Sequence, residues 1–162
     1  MSEMYLKEID FRTASDEECR LYRESNKANE ECADAIRTAI AENYGVKRKY
    51  CLDVQGVLDS VLSEYEPEQV AYCLATAIDE MNYDGRFSRE NKEWAAEIRE
   101  SLPEQYTDRS LNYSVSHIVG ALEAAHQVNV NGVAKDFKEA YPDLKLEVPE
   151  QGRNKSDVDM ER

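Results

Sequence analysis

Apolar residues recur along most of this chain at the three- and four-residue steps of a helix with one buried face. Ser15-Asp16-Glu17-Glu18 has the form of a capping box, so a helix should start there and carry Cys19, Leu21 and Tyr22. Ser25 and Asn26 either interrupt that helix or open a second one. Ala28, Cys32, Ala35, Ile36, Ala39 and Ile40 then draw one stripe, and Gly45 after Tyr44 suits a left-handed C-terminal cap. Leu52, Val54, Val57, Leu58, Val61 and Leu62 form a further face despite Gly56 in its middle.

Glu66-Pro67-Glu68 reads as the next start, because proline is pre-set for the first helical position. The buried positions of that helix should be Val70, Cys73, Leu74, Ala77 and Ile78. Asn82-Tyr83-Asp84-Gly85 is turn chemistry. Ser88 caps a helix facing inward through Trp94, Ala95, Ile98 and Leu102, and Pro103 ends it. A helix from Leu111 to Gln127 should bury Val115, Ile118, Val119, Leu122 and Ala125, and a short one from Val133 to Ala140 should tuck in Phe137 and Tyr141. The pattern predicts an all-α, single compact domain of six or seven helices over residues 15–142. Residues 1–14 form an N-terminal arm or short strand, with Tyr5, Ile9 and Phe11 weakly alternating. Residues 143–162 are polar and read as a frayed tail.

Charge narrows the function. Acids outnumber bases 34 to 20, for a net charge of -14. Direct binding of nucleic acid or of an anionic membrane is therefore disfavoured, since both require a basic footprint. No apolar run approaches membrane-spanning length and the first residues lack a signal-peptide pattern, so a cytoplasmic location is expected. The four cysteines, Cys19, Cys32, Cys51 and Cys73, lack the paired spacing of a zinc site and read as packed thiols. His117 and His126 fall on opposite faces of one predicted helix and cannot share a metal. No phosphate loop, nucleophile elbow or metalloprotease helix is evident, and neither catalytic residues nor a cofactor are expected. Glu80 to Asn91 imitates a calcium loop, but Asn91 stands where the bidentate glutamate belongs, and a tight turn followed by a serine cap is the simpler reading.

The charge is also unevenly placed. After Lys47-Arg48-Lys49 there is no lysine or arginine until Arg86, while Asp53, Asp59, Glu64, Glu66, Glu68, Asp79, Glu80 and Asp84 fall between. These acids either form a solvated face or imitate duplex phosphates for a protein partner with a basic surface. Tyr65, Tyr72 and Tyr83 are candidate aromatic anchors for such a partner. Arg86 and Arg89, at the Asp84 to Trp94 turn, are the basic candidates for partner binding.

Two stretches, Leu21 to Cys32 and Asp84-Gly85-Arg86-Phe87-Ser88 through Trp94-Ala95, resemble an uncharacterised domain family of Gram-positive bacteria. That family is carried largely on plasmids and conjugative elements. The resemblance implies an accessory protein of mobile DNA and brings no catalytic residues. Small acidic proteins of that background often inhibit CRISPR or restriction nucleases. The expectation is a non-enzymatic inhibitor acting through an acidic helical face, or else a scaffold of a conjugative element binding through the Asp84 to Trp94 turn.

Overall fold

Ser15 starts the first helix as the capping box requires: its hydroxyl accepts from Glu18 N at 3.0 Å, and Glu18 Oε1 accepts from Ser15 N at 2.9 Å. In this computed structural model, which describes residues 10–102, 118–122 and 127–147, helix α1 runs unbroken over Asp16–Glu42. Ser25 and Asn26 do not interrupt it. Ser25, Asn29, Cys32, Ile36 and Ile40 keep a single helical phase and are all buried, so tertiary packing overrides the weak local propensity at that point. Asn29 Oδ1 accepts from Gln69 Nε2 at 3.2 Å, and Asn29 O accepts from the Cys73 thiol at 3.7 Å, which ties α1 to the third helix.

The end of α1 departs from expectation. The helix stops at Glu42, where Asn43 N donates to Ala39 O at 3.0 Å and Asn43 Nδ2 donates to the same carbonyl at 2.8 Å. Gly45 is left-handed, at φ 74, but it shapes the following loop instead of capping the helix. Its amide donates to Cys51 O at 2.8 Å, Asp53 N donates to Asn43 O at 2.9 Å, and Tyr44 and Leu52 form an isolated antiparallel bridge. Residues 43–53 are thus a loop closed on itself.

Helix α2, Val54–Leu62, is capped by Asp53, whose carboxylate accepts from Gly56 N at 3.2 Å. Gly56 is needed there. A β-carbon would overlap Asn43 Oδ1 and Asp53 Oδ2, the two side chains that finish α1 and start α2. Alanine elsewhere in a helix gains about 1 kcal/mol over glycine. Gly56→Ala is expected instead to lose about 1–2 kcal/mol in urea denaturation, because it displaces both caps; a gain would show that the caps relax freely.

Helix α3, Pro67–Glu80, is central: every residue from Val70 to Ile78 is buried, nine positions where the apolar pattern marks five. It packs against α1, α2, α4 and α6. The small residues Ala71, Ala75 and Ala77 let those neighbours approach. Helix α4, Arg89–Glu100, begins at Ser88, which accepts from Asn91 N at 3.1 Å. It buries Ala95 and Ile98 as expected, and Asn91 and Arg99 in addition. A helical stretch at 118–122 (α5) buries Ile118 and Leu122, whereas Val115, Ala125, His117 and His126 lie outside the described residues.

Helix α6, Gln127–Ala140, starts six residues ahead of the expected Val133, in phase with the buried Val130, Val133, Ala134 and Phe137. Asn91 joins it to α4: Asn91 Nδ2 donates to Asn131 O at 2.8 Å, and Ser88 N donates to Asn131 Oδ1 at 3.0 Å. Packing also continues past the expected boundary at 142. Leu146 is buried and its amide donates to Ser101 Oγ at 3.1 Å, because Leu144 and Leu146 find apolar cover that a polar tail would lack. The expected arm is described only from Asp10. There the chain turns, with Ala14 N donating to Asp10 O at 2.8 Å, and Phe11 sets its ring edge-on to Tyr22 at 5.3 Å. The protein is an all-α, single compact domain.

Candidate interaction surface

The acids of the base-free interval divide into two groups. Asp53 is spent on the α2 cap and lies 3.3 Å from Lys47 Nζ. Asp79 and Glu80 turn inward, their carboxylates 3.9 and 3.7 Å from Arg99 Nη1, and the Arg99 side chain is only 3% exposed. Asp84 is folded onto Arg86, which donates to it from its backbone N, Nε and Nη2 at 2.9, 3.0 and 2.8 Å. The other four face outward: Asp59, Glu64 and Glu66 are exposed and Glu68 is half-buried. Asp59 accepts from Gln55 Nε2 at 2.8 Å on the outer side of α2.

Glu64 opens onto a groove of about 280 Å³ between α1 and α2. Its walls carry Glu31, Asp34 and Glu42 from α1 beside Glu64, with Ala35, Ala39 and Val61 as the apolar floor. Asp34 makes a loose pair with Arg37 at 3.6 Å. Burial raises the pKa of the half-buried Tyr65 phenol, and the Cys32 thiol and the Glu31 and Glu64 carboxylates add to the rise. Glu66 and Glu68 line a second cleft of about 560 Å³ with Pro67, Tyr141, Pro142, Asp143, Leu144 and Lys145. Glu64 of the first concavity and Glu66 of the second are two residues apart in the α2–α3 turn.

Glu31, Asp34 and Glu42 do not belong to the base-free interval, and a search for runs without lysine or arginine passes over them. Helical phase contains them: Glu31, Asp34, Ala35, Thr38 and Glu42 lie three, four, seven and eleven positions along one face of α1. That α2 folds back beside this face is a tertiary fact.

Of the three candidate aromatic anchors, Tyr72 is fully buried in the centre of α3 and cannot reach a partner. Tyr83 is 78% exposed. A more prominent set stands in the 43–53 loop, where Tyr44, Val46 and Tyr50 are all exposed.

At the Asp84 turn, Phe87 enters the core, Arg86 is held by Asp84, and Arg89 lies 3.1 Å from Glu93 on the helix surface. The calcium-like spacing has other uses: Glu80 faces Arg99, Asp84 faces Arg86, and Asn91 is buried against Asn131. Hydrogen bonds from the Arg86 side chain and then its backbone lower the Asp84 carboxyl from its ordinary 3.8 to about 2. The sign follows from linkage: a depressed carboxyl contributes stability above its unfolded value, and that contribution is lost as pH falls from 3.8 toward about 2. In a carboxyl NMR titration, Arg86→Ala should return the Asp84 midpoint toward 3.8; an unchanged midpoint would show that Arg86 is not the cause.

Cys32 and Cys73 are fully buried and free, and the Cys32 thiol together with burial pushes the Cys73 thiol up, so this pair behaves as packed apolar groups. Cys51, by contrast, is exposed. Among the described residues no helix is long and apolar enough to cross a membrane, and no cluster of histidine, cysteine and carboxylate could hold a metal.

The arrangement is that of a small helical domain with outward-facing carboxylates in two concavities. The chain belongs to the family described as protein of unknown function (DUF3849), which matches residues 4–138. No curated protein and no solved structure matches it.

Proposed function

We propose that this chain is a non-enzymatic interaction protein that captures a protein partner with a basic surface through its acidic α1–α2 groove. The observation carrying this reading is the convergence of Glu31, Asp34 and Glu42 of α1 and Glu64 of the α2–α3 turn on one groove. Three of them are spread over eleven positions of α1, about 16 Å of helix axis. A partner that presents a lysine- and arginine-lined groove to a nucleic-acid backbone meets carboxylates there in place of phosphates. The charge of -14 adds long-range steering toward such a surface. The partner class is a nucleic-acid enzyme of a host defence system, a CRISPR or restriction nuclease, held off its substrate; the resemblance to proteins of mobile elements supports that class. The scaffold reading through the Asp84 to Trp94 turn stands second, because Asp84 and Arg86 already satisfy each other.

Neutralising Glu31, Asp34, Glu42 and Glu64 as Asn or Gln removes exposed charge from the groove without touching the core. The folded variant should lose the nucleic-acid enzyme that wild-type bait recovers from the native host under nuclease treatment, and should no longer inhibit that enzyme. Equal recovery by both baits would overturn the reading. Loss of the partner from an Arg86→Ala, Arg89→Ala variant instead would move the interface to the turn.

A further inference from the structure

The α1–α2 loop is a surface that folding alone does not explain. Tyr50 is left-handed at φ 64, a conformation costing about 1–2 kcal/mol in any residue with a β-carbon. Yet its side chain is 75% exposed and packs into no core. Tyr44 and Val46 beside it are 45% and 59% exposed. Hydrogen bonds between Gly45 and Cys51 and between Asp53 and Asn43 hold the loop closed, so this apolar patch is presented preformed. It also carries Lys47, Arg48 and Lys49, the compact basic run of an otherwise acidic chain, with Lys49 Nζ 5.2 Å from the Tyr50 ring centre.

We propose that the occupant of this loop is a second copy of the chain: Lys47, Arg48, Lys49 and Tyr50 dock on the acidic α1–α2 groove of a partner protomer, reciprocally, about a two-fold axis. Charge complementarity selects the occupant. The groove presents Glu31, Asp34, Glu42 and Glu64 over an apolar floor, and the loop presents three cations and two tyrosines. Placement selects the symmetry. Glu42 ends the groove and Asn43 begins the loop, so positive and negative patches are neighbours on one surface, as a self-complementary two-fold interface requires. With two grooves antiparallel, each loop meets the far end of the other groove, where Glu31 stands about 16 Å along α1 from Glu42. This inference goes beyond the capture of a foreign partner and does not rest on it. The two uses share carboxylates, so self-association and capture exclude each other.

The test is a charge exchange read by light scattering and sedimentation, with reductant present so that Cys51 cannot cross-link. The wild-type chain of 18.6 kDa should reach twice that mass with rising concentration at about 0.1 M salt, where the Debye length is about 10 Å. Arg48→Glu, Lys49→Glu should remain monomeric, and so should Glu31→Lys, Glu64→Lys, since each sets like charges against each other in both contacts. An equimolar mixture of the two variants should restore the dimer, because both reciprocal contacts are again opposite in sign. Recovery in the mixture also shows that both variants fold. A wild type that stays monomeric at every concentration would overturn the proposal and leave the loop to a foreign partner. Variants that dimerise as well as wild type, or a mixture that stays monomeric, would overturn it too.

Discussion

Phe137→Ala is expected to destabilise the domain by about 3–5 kcal/mol, a loss that approaches the whole stability of many domains this size. Phe137 is fully buried and sits where three elements meet: its ring lies 6.1 Å from that of Trp94 on α4 and 5.0 Å from that of Tyr141 beyond α6. Truncation forfeits the transfer energy of the ring and leaves a cavity that rigid helices on both sides cannot fill. It also removes the edge-on contact with Trp94, and aromatic pairs are worth about 0.5–1.5 kcal/mol beyond area. The midpoint of thermal unfolding should fall by roughly 10 °C or more. Phe137→Leu keeps most of the volume and should recover more than half of the loss. A drop under about 1 kcal/mol for the alanine variant would show that α6 is not anchored through this ring.

Arg99→Ala should cost about 3–5 kcal/mol at neutral pH. Arg99 is buried, and it faces Asp79 and Glu80 on the last turn of α3, where carboxylates already sit at the negative end of a helix dipole. Removing the cation leaves two shielded carboxylates near each other and that dipole without the buried charge that offsets theirs. Adding Asp79→Asn and Glu80→Gln to an Arg99→Met chain should return most of the stability, because replacing a buried ion set by matched neutral groups is often close to neutral. Denaturant unfolding at neutral pH reads both variants. A variant as stable as wild type at neutral pH would mean that Arg99 is held by packing and not by charge.

Much of the fold was legible before any coordinates. The capping residues Ser15 and Ser88, Pro67 at the first position of α3, and the stripe from Cys32 to Ile40 all act through contacts three or four residues away, the range over which a linear pattern carries information. Ser25 and Asn26 misled because their local preference is weak, whereas the helix they lie in is held by burial and by contacts such as that of Asn29 with Gln69 on α3, forty residues later. The buried polar residues Asn29, Asn91 and Arg99 gave no warning for the same reason: each meets a partner distant in sequence.

The candidate site divides along the same line. The sequence alone determined which residues are acidic, that a long interval lacks bases, and that the chain forms amphipathic helices. Only the tertiary structure decided how those carboxylates are used, sending Asp79 and Glu80 to Arg99, closing Asp84 onto Arg86, burying Tyr72, and bringing Glu31, Asp34 and Glu42 of α1 beside Glu64. Helical phase assigns a side chain to a face of its own helix; which faces meet depends on how the helices pack, and that is set by contacts between residues far apart in the chain.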